Sequence, residues 1–188
     1  MSSKTELDNA NKHLKIANQL KQEGQLDRAL NHYQIVVKIK PENISAWLNL
    51  AQVYETKQEL DLAVDCYQKV IKLRPENDIT YLRLAKIFQQ QGKTNDLINL
   101  YHIVVKIKPE NISAWLNLAQ VYETKQELDL AVDCYQKVIK LRPENDITYL
   151  RLAKIFQQQG KTNDLINLYH IVVKIKPENI SAWLNLAQ

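Results

Sequence analysis

Apolar residues recur along this chain in alternating stripes. In the segment Ile44–Asn77, Trp47, Leu50, Ala51 and Tyr54 fall at the i, i+3, i+4, i+7 spacing that lines one face of an α-helix. Leu60, Ala63, Tyr67, Val70 and Ile71 draw a second stripe. Polar residues fill the other faces, so each stretch predicts an amphipathic helix and the pair predicts a helical hairpin. Counting Ile44 as position 1 of 34, the turn falls at position 15, held by Gln58, and Pro75 at position 32 stops the second helix. Asn77 is placed to cap the next helix, and Lys72 and Arg74 lie where the negative end of the helix dipole favours cations.

The same punctuation returns at a fixed interval. Pro41, Pro75, Pro109, Pro143 and Pro177 are spaced by 34 residues, and Gly24, Gly92 and Gly160 by 68, as are Trp47, Trp115 and Trp183. The glycines hold position 15 of the odd-numbered units, where a left-handed residue ends the first helix. Gln58 and Gln126 hold it in the even units, at a cost of about 1 kcal/mol for a residue with a Cβ. One supersecondary unit is therefore reused over 10–43, 44–77, 78–111, 112–145 and 146–179, with a partial copy over 180–188.

A 34-residue helical hairpin bearing Trp47, Leu50, Ala51, Tyr54, Ala63, Tyr67 and Pro75 resembles the tetratricopeptide repeat. It departs from the family pattern at Ala51, where glycine is common, and at Gln58, which replaces the turn glycine. The first unit is looser, with His13 in the Trp position and Leu20 in the Tyr position. Pentatricopeptide RNA readers are related but use a longer period. The resemblance implies an all-α fold, a right-handed α-α superhelix whose hairpins form one solenoid over 1–188 and are stabilised by stacking on their neighbours.

Residues 35–120 and 103–188 are identical over 86 positions at an offset of 68, while the preceding pair, Gln34 and His102, already differs. Natural repeats drift even on their surfaces, so this identity reflects a very recent duplication or a deliberately engineered array; engineering is the favoured reading.

Composition narrows the function. A net charge of +4, with 25 basic and 21 acidic residues intermixed, gives no nucleic-acid footprint. No apolar run suits a signal peptide or a membrane span, so the expected location is cytoplasmic, with no membrane partner. Cys66 and Cys134 occupy equivalent places and are expected to be reduced structural thiols. Phosphate loops, nucleophile elbows and zinc-protease motifs are absent, and His13, His32, His102 and His170 have no His or Cys partner at metal-ligand spacing along a helix. Glu59 and Asp61 flank a helix start, where acids serve structure. The tyrosines sit in the stripes and are expected in the core. No enzymatic activity, cofactor or metal is expected.

Binding remains. The resemblance implies that the face of each first helix opposite its core stripe lines a concave groove. Position 6 of successive repeats reads Lys15, Asn49, Arg83, Asn117, Arg151 and Asn185, and position 9 reads Asn18, Gln52, Lys86, Gln120, Lys154 and Gln188. Amides there can bond a peptide backbone, and arginine forks hold carboxylates. The groove is therefore expected to take extended, acidic protein segments, and its asparagines resemble those in the repeats of O-linked GlcNAc transferases. The carboxylate clamp of chaperone-binding members is not expected, because Leu14 and Ile79 replace its lysines. Two rivals stand beside this reading: an array with no specific ligand, and the recruiting module of a larger enzyme. Trp183, Leu186 and Ala187 carry a core stripe with no second helix after it, so self-association through 180–188 is also expected.

Overall fold

The computed structural model describes residues 3–178, and every regular element among them is an α-helix. Packing divides the chain between Lys93 and Thr94 into two compact units. The first contains α1 (Ser3–Gln22), α2 (Leu26–Ile39), α3 (Ile44–Thr56), α4 (Leu60–Leu73) and α5 (Asp78–Gln90). Here α1 pairs with α2 and α3 with α4, and each hairpin leans on the helix that follows it. The second unit contains α6 (Thr94–Ile107), α7 (Ile112–Thr124), α8 (Leu128–Leu141), α9 (Asp146–Gln158) and α10 (Thr162–Ile175). Within it α7 pairs with α8 and α9 with α10, while α7 also packs on α6 and α9 on α8.

The helices begin and end as the punctuation predicts. Asn43, Asn77, Asn111 and Asn145 each accept a backbone N–H three residues on, at 2.9–3.1 Å, satisfying one of the free donors of the helix start. At position 15 Gly24 has φ 75° and Gln58 has φ 61°. Both turns close with the same backbone bond across six residues, Gln25 N to Leu20 O at 2.8 Å and Glu59 N to Tyr54 O at 2.9 Å. Gln58 adds what glycine cannot, a side-chain bond from Nε2 to the Glu55 carbonyl at 3.2 Å, which offsets part of its left-handed strain.

The core is wider than one stripe. In α3, Leu50, Ala51 and Tyr54 are buried as expected, and so are Ala46 and Val53 on the flank. The cause is position: α3 lies between α2 and α4, so two of its sides lose water. Val64 and Cys66 of α4 are buried beside the expected Ala63, Tyr67 and Val70.

The described tryptophans of the apolar stripe lie at its edge. Trp47 and Trp115 are half-buried, and each indole N–H donates to the carbonyl of the preceding proline, Pro41 at 2.7 Å and Pro109 at 2.8 Å. They pin the inter-repeat loop, with part of each indole left exposed. An indole needs an acceptor for its N–H, and the loop supplies one at the edge of the stack.

Asp61 serves structure by more than its helix dipole. Its carboxylate accepts from Lys93 at 2.9 Å and Gln91 at 3.1 Å, which holds its pKa below the ordinary value. Asp129 repeats the arrangement with Lys161 at 2.8 Å and Gln159 at 3.1 Å, and Asp27 pairs with Lys57. Each such exposed pair adds little to stability, and each ties one repeat to the next.

Candidate functional site

Position 12 of the first helix, which the sequence ladder left out, pairs with the ladder residues. Its side chain reaches position 6 of the following repeat, 28 residues on. In the first unit Lys21 donates to Asn49 Oδ1 at 2.8 Å and to Gln52 Oε1 at 2.5 Å. Asn49 Nδ2 donates to Asn18 Oδ1 at 3.4 Å, and that oxygen also accepts the Tyr33 hydroxyl at 2.7 Å. One repeat later Glu55 faces Arg83, with Nη1 and Oε2 3.4 Å apart, and accepts the Tyr67 hydroxyl at 2.7 Å. In the second unit Arg151 meets Glu123 at 3.3 Å, and Tyr135 donates to the same carboxylate.

The expected basic ladder is thereby modified. No acid stands at positions 6 and 9, yet Glu55 and Glu123 enter the groove from position 12 and pair Arg83 and Arg151. Lys86 and Lys154 are exposed, with no ion pair or hydrogen bond among the described residues, and Lys15 is exposed at the first rung. Asn117 is half-buried and Gln120 exposed. Asn185 and Gln188 lie outside the described residues, as does the 180–188 stripe with Trp183.

Between α1, α3 and α5 the first unit holds a cleft of about 360 Å³, lined by Lys21, Gln52, Glu55, Arg83, Lys86 and Gln90 among others. Burial, and then the charge of Arg83, lower the pKa of Lys21 below the ordinary lysine value. The groove face of α5 also carries two apolar residues, Ile79 at 64% and Leu82 at 67% exposure, in line with Arg83 and Lys86 at helical spacing. Ile147 at 67% and Leu150 at 71% repeat this on α9. Isoleucine at position 2, outside the core stripe, was the signal in the sequence.

The histidines are not solitary. His13 and His32, 19 residues apart, meet across the α1–α2 hairpin with their Nδ1 atoms 2.7 Å apart and ring centroids at 4.9 Å. Spacing along one helix could not show this, because the partner lies on the next. His102 Nε2 lies 2.7 Å from the Tyr122 hydroxyl, in the place where Gln34 donates to Tyr54 at 2.9 Å. Burial, His13 and Arg28, in that order, lower the pKa of His32 from 6.5. A depressed histidine is protonated more readily in the unfolded chain, so its contribution is present above the unfolded pKa and is lost as pH falls through the folded one. The urea midpoint should therefore fall on going from neutral pH toward pH 5, and fall less in His32→Asn. Equal pH dependence of the two proteins would contradict the assignment.

Burial pushes the Cys66 thiol up to about 12 and the Cys134 thiol up to about 11, so both are poor nucleophiles. Among the described residues no three His, Cys, Asp or Glu side chains are grouped to hold a metal, and no helix is long and apolar enough to cross a membrane.

Comparison with known proteins agrees with this architecture. A family model described as a TPR repeat matches residues 17–58, and one described as a tetratricopeptide repeat matches 44–77 and 112–145, the bounds read from the sequence. Among solved structures, the MamA protein is 18% identical over 93% of this chain and 95% of its own, with a TM-score of 0.61. YrrB, described as a TPR protein with an unusual peptide-binding site, is 16% identical over 94% of this chain and 91% of its own, with a TM-score of 0.57. A tetratricopeptide repeat protein from Parabacteroides merdae ATCC 43184 is 15% identical over 96% of this chain and 72% of its own, at 0.62. At these identities the likeness shows the fold. No curated protein sequence matches the chain.

Proposed function

Because the chain belongs to the tetratricopeptide repeat family, we propose that it is a protein-interaction scaffold whose groove holds extended peptide segments bearing acidic and apolar side chains. The observation that carries this reading is the α5 face, where exposed Ile79 and Leu82 lie in line with Arg83 and Lys86. Neighbouring apolar side chains this exposed, on a face that also carries cations, suit a surface that a partner covers. The peptide-binding site named for YrrB supports the ligand class. In this reading the protein binds and does not catalyse, and its buried free thiols suit a reducing cytoplasm.

The test compares acidic and basic peptide pools on the purified protein and on an Arg83→Ala, Arg151→Ala variant. The acidic pool should bind better, lose affinity as salt screens exposed charge, and weaken in the variant. Equal retention of both pools, unchanged by the substitutions, would remove the acidic preference. A second reading, an array without a specific ligand, is favoured by the 86 identical positions, and it predicts that neither pool binds.

A further inference from the structure

Cations converge in the cleft between α1, α3 and α5 in excess of acids. Lys21, Arg83 and Lys86 line it with a single carboxylate, Glu55. That carboxylate is already shared between the Tyr67 hydroxyl and Arg83. The Lys21 ammonium is held by the neutral amide oxygens of Asn49 and Gln52, and Lys86 has no ion pair or hydrogen bond among the described residues. Burial and the charge of Arg83 already disfavour the Lys21 cation, and the opposite charge of an anion would offset them.

Lys21 also makes the cleft singular. Glu55, Arg83 and Lys86 recur 68 residues on as Glu123, Arg151 and Lys154, but the residue 68 after Lys21 is Gln89. The duplicated part of the chain therefore repeats two of the cations and omits the third.

We propose that this cleft is a single-copy site for a doubly charged anionic group on an extended peptide, either two adjacent acidic side chains or a phosphomonoester, and that Lys21 selects it. The inference rests on the peptide-groove reading. Charge sets the ligand class: three cations against one carboxylate are balanced by a dianion, and a phosphomonoester carries about −1.5 to −2 at pH 7. As Lys21 turns to the anion it releases Asn49 and Gln52, whose amides are then available to the peptide backbone. Ile79 and Leu82, on the same face of α5, receive an apolar residue of the peptide.

The experiment titrates labelled peptides, identical except for a central Glu-Glu pair, phosphoserine or Ser-Ser pair, by fluorescence anisotropy at low salt. Wild type, Lys21→Gln and Lys137→Gln are compared. Glutamine already stands at the same position of α5 and α9, as Gln89 and Gln157, so Lys21→Gln is compatible with the fold, and its thermal melt checks this. The charged peptides should bind once per chain, about tenfold more weakly to Lys21→Gln, and unchanged to Lys137→Gln, which removes an exposed charge on α8 outside the groove. Two equivalents per chain, or equal losses in both variants, would overturn the single-copy site and leave the acidic groove standing. Equal affinity of all three peptides for wild type would overturn both. The tighter of the two charged peptides identifies the source of the anion.

Discussion

Replacing Tyr67 by alanine should destabilise the protein by about 3–5 kcal/mol, read as a shift of the urea midpoint, and Tyr135→Ala should do the same. Each ring is 1% exposed, so truncation leaves a cavity among α3, α4 and their neighbours. It also removes the hydroxyl that donates to Glu55 or Glu123, leaving a half-buried carboxylate with fewer partners. Tyr67→Phe isolates that second loss and should cost about 1–2 kcal/mol. Tyr81→Phe should be neutral or stabilising, because its hydroxyl is buried without a hydrogen-bond partner among the described residues. Trp47→Ala should cost less, about 2 kcal/mol, since part of the indole is already exposed and its one hydrogen bond is to a loop carbonyl. A Trp47→Ala loss as large as that of Tyr67→Ala would mean that the tryptophan is a core anchor after all.

Ala51→Leu should cost about 3 kcal/mol, and so should Ala119→Leu. Both alanines have 0% exposure, on helices packed from two sides, α3 between α2 and α4 and α7 between α6 and α8. Three added carbons have no free volume to enter, and either the helices move apart or the side chain leaves its rotamer well. Ala153 holds the equivalent position of α9 at 8% exposure, so Ala153→Leu can direct its branch outward and should cost less. Thermal melts of the three variants rank them. Equal shifts would show that Ala153 is packed as tightly as Ala51 and Ala119.

The hairpins were readable because their determinants are local. The Asn77 cap, the left-handed residue at Gly92 and the Pro75 stop each act within a few residues of where they stand. Gln58 was legible too, since period alone places it in the glycine position. The site was less legible because its determinants are diagonal. That Glu55 would meet Arg83 follows only once α3 and α5 are set side by side, and helical periodicity within one repeat carries no such information. The same limit hid His32 from His13. The exposed Ile79 and Leu82 had a visible signal, apolar residues off the core stripe, which the charges at positions 6 and 9 do not reveal.

The diagonal contact has a consequence for how such an array can grow. Identical stretches invite unequal exchange, which adds or removes 68 residues at a time between matching points of the two copies. Every block gained this way brings another Glu–Arg rung, because Glu55 and Arg83 both lie within it. No block gained brings another Lys21, which lies upstream of the duplicated sequence at Ile35. Lengthening the array would therefore multiply generic rungs in proportion to copy number, while the cleft beneath Lys21 would remain one per chain and fixed near its N-terminal end. Reach would evolve freely, and the register from which it is measured would not.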